Sequence, residues 1–429
     1  MNNTNEELFN FIKKCPTAFH TASTITDLLK KNGFIQLQES EDFHLKSGAG
    51  YFCIRNDSSL IAFKIGRDPS KNPLNIMAAH GDSPCFKLKE KALIEVKDSY
   101  FKLDTEGYGG MLCSSWLDRP LSLAGRAVTY NEADGYKTRL FDFNRDLCLI
   151  PSLAIHMNRK ANEGVSYNKQ IDMLPLFSLK ENKADYDFNK LISGLLGLKN
   201  KELLAIDAYV YNRQEPSIWG ASEEFISAPR LDDLQCSYAC LQGFLQAENP
   251  DRTLVYLCFN NEEVGSQTYQ GAASSFLSDM LDRITSVFNG ARLPQLLAQS
   301  FLISADNAHA LHPNFPEKSD VNNYAVINKG IVLKANAAQK YSTDAIGSAL
   351  CRNICNKADI PLQFYSNRSD EAGGSTLGNI AICRVPIKGA DIGLPQLSMH
   401  SAYETAGSRD TDYLIAFSKK FYDGKHKFC

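Results

Sequence analysis

Three apolar runs in this 429-residue chain are each followed at once by side chains of metal-ligand type. LNIMAAHGDSP places His80 and Asp82 after the first, TLVYLCFNNEEVGS places Glu262 and Glu263 after the second, and SFLISADNAHALHP places Asp306, His309 and His312 after the third. A late loop, GLPQLSMHSAYETAG, carries His400, and SAPRLDDL carries Asp232 at the start of a helical stretch. Imidazole nitrogen and carboxylate oxygen both bind zinc readily, and a pair of ions sharing one carboxylate needs about five protein ligands. His80, Asp232, Glu263, Asp306 and His400 supply such a set. Their three carboxylates leave two divalent cations with residual positive charge, which should acidify a bridging water and make it a usable nucleophile near neutral pH.

The adjacent Glu262 and Glu263 can divide the work. On a turn, neighbouring side chains point to different sides, so one can bind metal while the other reaches the water. The free one, Glu262, would take a proton from water and later give it to a leaving amine. Asp82, two residues beyond His80, could accept a hydrogen bond from the imidazole and fix its orientation. Each residue also admits a plainer assignment. A His after a strand can be a satisfied polar residue, Glu-Glu can be a solvated loop pair, and Asp306 can cap a turn. Asp232 and Asp233 can simply start a helix.

These residues need elements to position them. From Asn5 to about Asn32 the pattern is helical, with Leu8, Phe9 and Ile12 on one face. YFCIR, SLIAFKI and LNIMAAH then read as strands. From Lys89 to Trp219 short strands (ALIEV, AVTYN, LCLIP) alternate with loops rich in Asn, Asp and Lys, which suggests a β-rich domain inserted into another. After Ala221, LDDLQCSYACLQGFLQ reads as a helix with Asp232 and Asp233 in its first turn, where acidic groups suit the dipole. GAASSFLSDMLDRITSVF and STDAIGSALCRNICNKA also read as helices, and AICRVPI as a strand. Buried strands alternating with helices predict an α/β layer on a largely parallel sheet. In such sheets functional residues collect beyond the carboxyl ends of the strands. The expected organisation is a discontinuous α/β domain, 1–88 and 220–429, interrupted by residues 89–219.

Composition narrows the partners. Hydrophobic residues make up 44%, charged residues 22%, and the net charge is −3. No basic block offers a phosphate-facing patch, so nucleic acid is not an expected partner. No stretch approaches the ~20 apolar residues of a membrane span, and no secretory signal is visible. The 12 cysteines follow no framework spacing. Cys236/Cys240 and Cys351/Cys355 are spaced to share a helix face, and these, with Cys258 and Cys383, are expected to be small buried apolar residues. Free thiols point to a reducing compartment, hence a cytoplasmic location.

Taken in order, AAHGDSPCFKLK, YGGMLCSSWLDRPLSLAGR, LAIHMNR, APRLDDL, NNEEVGSQTYQGA, ISADNAHALHPN, GIVLKANAAQKYST and GLPQLSMHSAYETAG resemble the aspartyl aminopeptidase family, metallopeptidase family eighteen. The resemblance runs along nearly the whole chain. It implies an α/β/α zinc-exopeptidase catalytic domain with an inserted β-rich dimerisation domain that covers the site, and assembly into a dimer-based dodecamer. It implies two divalent ions, zinc being expected, with His80 and Asp306 on one, Glu263 and His400 on the other, and Asp232 bridging. Glu262 falls at the general-base position and Asp82 at the His-orienting position. The resemblance also implies that His156 reaches the active site of a neighbouring subunit, and that Lys334 holds an acidic substrate side chain. The implied activity is removal of the first residue of peptide substrates, with Asp or Glu preferred. Departures include Gly81 where the family commonly has Thr, and DEAGGSTLGN, both of which bear on substrate preference. A neutral-residue preference, a di-zinc deacylase of the same fold and a non-catalytic scaffold particle are the alternatives. A serine hydrolase is disfavoured because no G-x-S-x-G occurs.

Overall fold

The structure, a computed structural model, describes residues 3–180, 187–198, 202–288 and 290–427. Its contacts divide the chain into two compact units: Met1–Asp82 with Pro216–Met399 and Glu404–Cys429, and Ser83–Glu215 with His400–Tyr403. The chain opens with α1 (Asn3–Lys14) and α2 (Ala18–Lys31), followed by β1 (Ile35–Gln36), β2 (Gly50–Arg55), β3 (Ser59–Lys64) and β4 (Leu74–His80). The second unit contributes β5 (Cys85–Val96), β6 (Tyr100–Tyr108), β7 (Leu121–Asn131), β8 (Gly135–Asp142), β9 (Leu176–Leu179), α3 (Phe188–Leu195) and β10 (Leu203–Asn212). The chain returns through β11 (Ser217–Trp219), β12 (Phe225–Ala228), α4 (Leu231–Gln246), β13 (Thr253–Phe259), α5 (Phe276–Ser286), α6 (Leu293–Ala298), β14 (Phe301–Ala305), β15 (Ala308–His309) and β16 (Ile331–Lys334). It closes with α7 (Ala345–Ala358), β17 (Leu362–Tyr365), α8 (Leu377–Arg384), β18 (Lys388–Gly393), β19 (Pro395–Leu397), β20 (Glu404–Gly407) and α9 (Asp410–Asp423). β5 and β11 run through Lys89 and Trp219, the positions at which the texture of the sequence changes.

Among the described residues, the first unit carries a nine-stranded sheet in the order β1-β2-β3-β13-β4-β14-β18-β16-β17. Its centre, β13-β4-β14-β18, is parallel. These strands are covered on both faces, which is why they read as unbroken apolar runs rather than alternating ones. Successive residues enter different cores. Leu254, Tyr256 and Cys258 pack with Leu8, Ile25, Leu241, Leu350 and Leu414 from α1, α2, α4, α7 and α9. Val255, Leu257 and Phe259 pack with Phe276, Leu281, Leu296 and Ala381 from α5, α6 and α8. The outcome is the expected α/β class with α/β/α layering. A smaller sheet, β11-β12-β20-β19-β15, belongs to the same unit. The second unit holds a six-stranded antiparallel sheet, β8-β7-β10-β5-β6-β9, built on an apolar cluster around Phe86, Trp116, Leu123 and Val210.

Four local expectations fail. AICRVPI is not a strand: Ala381–Arg384 close α8, and the next strand starts at Lys388. Its apolar run is too short for periodicity to separate helix from strand. Cys383 is exposed because it lies on the open side of α8, whereas Ala381 is buried. LCLIP makes only isolated bridges, such as Leu121 with Cys148 and Leu149 with Leu176. The helix expected from Gly271 starts at Phe276, because the Ala273 N–H is taken by the Ser266 carbonyl in a preceding turn. Cys236, Cys240, Cys258, Cys351 and Cys355 are buried, as expected. Among the described residues no helix is long and apolar enough to cross a membrane.

Candidate metal centre

Strand register carries ligand-type residues to one edge of the large sheet. Phe259 of β13 pairs with His80 of β4, and Ser304 of β14 pairs with Ala78. Asp306, just past β14, therefore stands level with His80 at the carboxyl ends of the parallel strands. His80, Asp232 and Asp306 are all buried, and each offers one ligand atom, the three lying within 4.8 Å of one another. His80 Nε2 is 3.5 Å from Asp232 Oδ1.

Asp232 is not held as an ordinary helix-start residue. Asp232 and Asp233 have non-helical backbone angles, and the peptide between them is cis. The pair falls in the first turn of α4, as expected, but its backbone departs from the regular helix there. The Asp232 N–H donates to the Glu404 carboxylate at 3.0 Å. The Asp233 carboxylate accepts the His80 N–H at 3.1 Å. Asp233 and Glu404 thus fix the backbone of two candidate ligands, and neither was singled out from sequence for this role. The Asp-Asp doublet was the visible signal, but it reads equally well as a helix start.

Glu262 and Glu263 open a single 3-10 turn between two left-handed residues, Asn261 (φ 63) and Gly265 (φ 91). The Gly265 N–H closes it on the Glu262 carbonyl at 2.9 Å, and the Ser266 N–H reaches the Asn261 carbonyl at 2.7 Å. Asp82 anchors the turn from just beyond β4: its two carboxylate oxygens accept the Glu262 and Glu263 N–H groups at 3.2 Å each. His80 Nδ1 lies 3.1 Å from the Asp82 carbonyl and 3.5 Å from its carboxylate. Asp82 therefore faces the His80 ring and also grips the Glu262–Glu263 backbone, a contact that sequence spacing does not reveal.

The electrostatics describe a pocket oversupplied with negative charge. Burial, then repulsion from Asp306, Asp82 and Asp232, pushes the Glu262 carboxyl up to about 8. Glu263 is raised well above the usual range by burial, Asp232 and Glu262. Burial also raises Asp306, to about 6, with Lys334 opposing and Asp232 adding to the rise. Burial would lower His80, but Asp232, Asp233 and Asp82 outweigh it and raise it. Buried and half-buried carboxylates that repel one another around an imidazole fit divalent cations, which stabilise the charged forms together.

The remaining predicted residues fall as follows. His156 lies on an exposed turn of the second unit, between exposed Ile155 and Met157, so it is not a buried strand residue. His400, in a left-handed conformation (φ 66), is counted with the second unit, and its carbonyl accepts the Leu112 N–H at 3.0 Å. Lys334 is buried, with Nζ donating to the Asp306 carbonyl at 2.8 Å. His309 is exposed, and His312 Nδ1 accepts the Asn314 N–H at 3.2 Å, a local turn contact.

Gly81 follows His80, and the space around it explains the missing side chain. A Cβ there would come 2.9 Å from both Cys258 Sγ and Thr21 Cγ2, while the Thr21 hydroxyl donates to the Gly81 carbonyl at 3.1 Å. Gly81→Ala is expected to cost about 1–3 kcal/mol by overpacking, read from the denaturant midpoint. Cys258→Ala in the same chain should recover part of that loss. An unchanged midpoint in the single variant would show that the loop yields.

A family model described as aminopeptidase I zinc metalloprotease (M18) matches residues 11–422. A probable M18 family aminopeptidase 2 from Clostridium novyi (strain NT) is 42% identical over 424 residues, covering 97% of this chain and 98% of that protein. The crystal structure of prApe1 matches with a TM-score of 0.92 at 28% identity, over 98% of this chain and 94% of the other. The structure of the S. cerevisiae mApe1 dodecamer matches at 0.86 and 27% identity, over 99% and 97%.

Proposed function

The chain belongs to the aminopeptidase I zinc metalloprotease family, M18, and from that premise we propose how its side chains serve the reaction. The protein is a metalloaminopeptidase, a hydrolase acting on peptides, and zinc is its metal. In our reading, His80, Asp232 and Asp306 hold one ion, and Asp232, Glu263 and His400 hold a second. The observation that carries this reading is the buried trio His80, Asp232 and Asp306 beside the Glu262–Glu263 turn. The place of His400 in this set rests on the resemblance.

The ions, when bound, supply Lewis acidity that acidifies a water and polarises the scissile carbonyl. The chain's own residues do the rest. Glu262 accepts the proton of the attacking water and delivers it to the leaving amine. Asp82 keeps Glu262 in place through the backbone of its turn and keeps the His80 ring oriented. Asp233 and Glu404 hold the backbone on which His80 and Asp232 stand. Stripping the protein with a chelator should abolish hydrolysis of an aminoacyl substrate. Adding back two zinc equivalents per chain should restore it. Full activity in metal-free protein would refute the reading.

Asp or Glu as the preferred first residue rests on resemblance, which points to Lys334. The Lys334 ammonium is occupied at the Asp306–Asn307 turn and lends that assignment no support. Initial rates over a panel of first residues decide between acidic and neutral preference.

We also propose self-association and a contribution of His156 to a neighbouring subunit's site. The mApe1 structure that this chain resembles is a dodecamer. The second unit exposes Tyr136, Met157 and Ile171, each at least 70% accessible, in keeping with an association surface. Native mass spectrometry is expected to show assemblies larger than a monomer, and a monomer alone would end this part of the reading. A reducing, cytoplasmic location fits the eleven free thiols among the described residues.

A further inference from the structure

Lys334 ends β16, which runs antiparallel to β18 with Lys334 opposite Asp391. β18 in turn is parallel to β14, with Asp391 opposite Ser304. The lysine therefore starts two strands away from Asp306, and its side chain spans that gap while only 2% exposed. Its Nζ donates to the Asp306 carbonyl at 2.8 Å and to the Asn307 carbonyl at 3.2 Å, and lies 3.8 Å from Asp306 Oδ1. The ring of Tyr341 lies 5.3 Å from the ammonium. A buried ammonium is costly unless it is paired and hydrogen-bonded, and these contacts meet that condition at one turn of the chain.

The turn is held from its other side as well. Asn307 is buried; its amide donates to the Leu231 carbonyl at 3.3 Å and to Gln235 Oε1 at 3.3 Å. Its Oδ1 accepts from the Cys236 thiol at 2.7 Å. Leu231 immediately precedes Asp232. One short segment, Asp306–Asn307, is thus fastened to Lys334 on one side and to the start of α4 on the other. Asp391, across from Lys334, is itself immobilised. It accepts the Ser342 N–H at 2.5 Å, the Ser342 hydroxyl at 2.6 Å and the Thr376 hydroxyl at 2.5 Å.

We propose that Lys334 is a positioning residue for the metal centre: its ammonium clamps the Asp306–Asn307 turn, and through Asn307 the backbone before Asp232, so that both carboxylates keep the spacing a zinc ion needs. This rests on the reading of Asp306 and Asp232 as ligands. It gives Lys334 a task distinct from choosing the substrate's first residue, because the ammonium's bonds all lead to the metal-binding segments.

The experiment compares the full-length protein with Lys334→Met and Lys334→Gln. The parent is first shown to carry two zinc equivalents; a parent without zinc would defeat the metal-centre reading itself. Each protein is then dialysed against graded chelator, and zinc per chain is measured by mass spectrometry. Hydrolysis rates are measured for substrates beginning with Asp and with Leu. Lys334→Met is expected to release zinc at a chelator concentration at least about tenfold lower, the usual scale for groups that orient ligands. Excess zinc should restore activity, and the Asp-to-Leu rate ratio should stay within about twofold of the parent. Lys334→Gln, which keeps two donors, should fall between, and it carries the test if the Met variant does not fold. Parental zinc retention overturns the proposal, most decisively if the rate ratio moves. Failure of both variants to fold in excess zinc also overturns it, since the residue would then serve the fold generally.

Discussion

Glu262→Gln is expected to lower turnover by at least ~100-fold with zinc content unchanged. The substitution is nearly isosteric, and the residue's backbone is fixed independently of its side chain. Its N–H is bonded to Asp82, its carbonyl receives the Gly265 N–H, and Asn261 ahead of it is in a left-handed conformation. The glutamine should therefore occupy the same place and lose only the capacity to carry a proton. KM should change little, because no binding group is removed. Steady-state kinetics and metal analysis on the same preparation check this. Near-parental turnover would remove Glu262 from the proton-transfer role, and loss of zinc would make it a ligand instead.

Asp82→Ala should rank with it, with metal affinity or activity falling by about 10–100-fold, the scale seen when a group that orients ligands is lost. One carboxylate here faces the His80 ring and accepts the N–H groups of both Glu262 and Glu263. Removing it frees the turn that carries the proposed base and a proposed ligand. Asp82→Asn is the sharper test. An amide has one acceptor oxygen for two N–H donors, and its own NH2 would face the second. The asparagine variant should therefore be impaired almost as much as alanine. Parental activity in Asp82→Asn would show that neither the charge nor the paired contacts matter.

Much of the candidate site was legible because topology imposes order on it. Strands buried on both faces leave continuous apolar runs, and in a parallel sheet whatever follows those runs arrives at a common edge. His80, Glu262, Glu263 and Asp306 were visible for that reason. What stayed hidden depends on hydrogen bonds between residues far apart in the chain. Nothing near Glu404 announces that its carboxylate will receive the Asp232 N–H. The helical period of LDDLQCSYACLQGFLQ masks the irregular backbone at its first residues. The run AICRV carried too few residues to distinguish α8 from a strand, and so Cys383 was expected inside and lies outside.

The order of strands in the large sheet also sets when the candidate site can assemble. β4, which carries His80, has β13 on one side and β14 on the other, and both lie far downstream, beyond the Ser83–Glu215 segment of the second unit. During synthesis the early strand must wait for partners still to emerge from the ribosome. Such long-range pairing is slow to form because loop closure precedes the contacts that reward it. A polypeptide halted at its midpoint has His80 but neither Asp232 nor Asp306, so the candidate trio is incomplete. The proposed metal site can therefore come together only after Asp306 has been made.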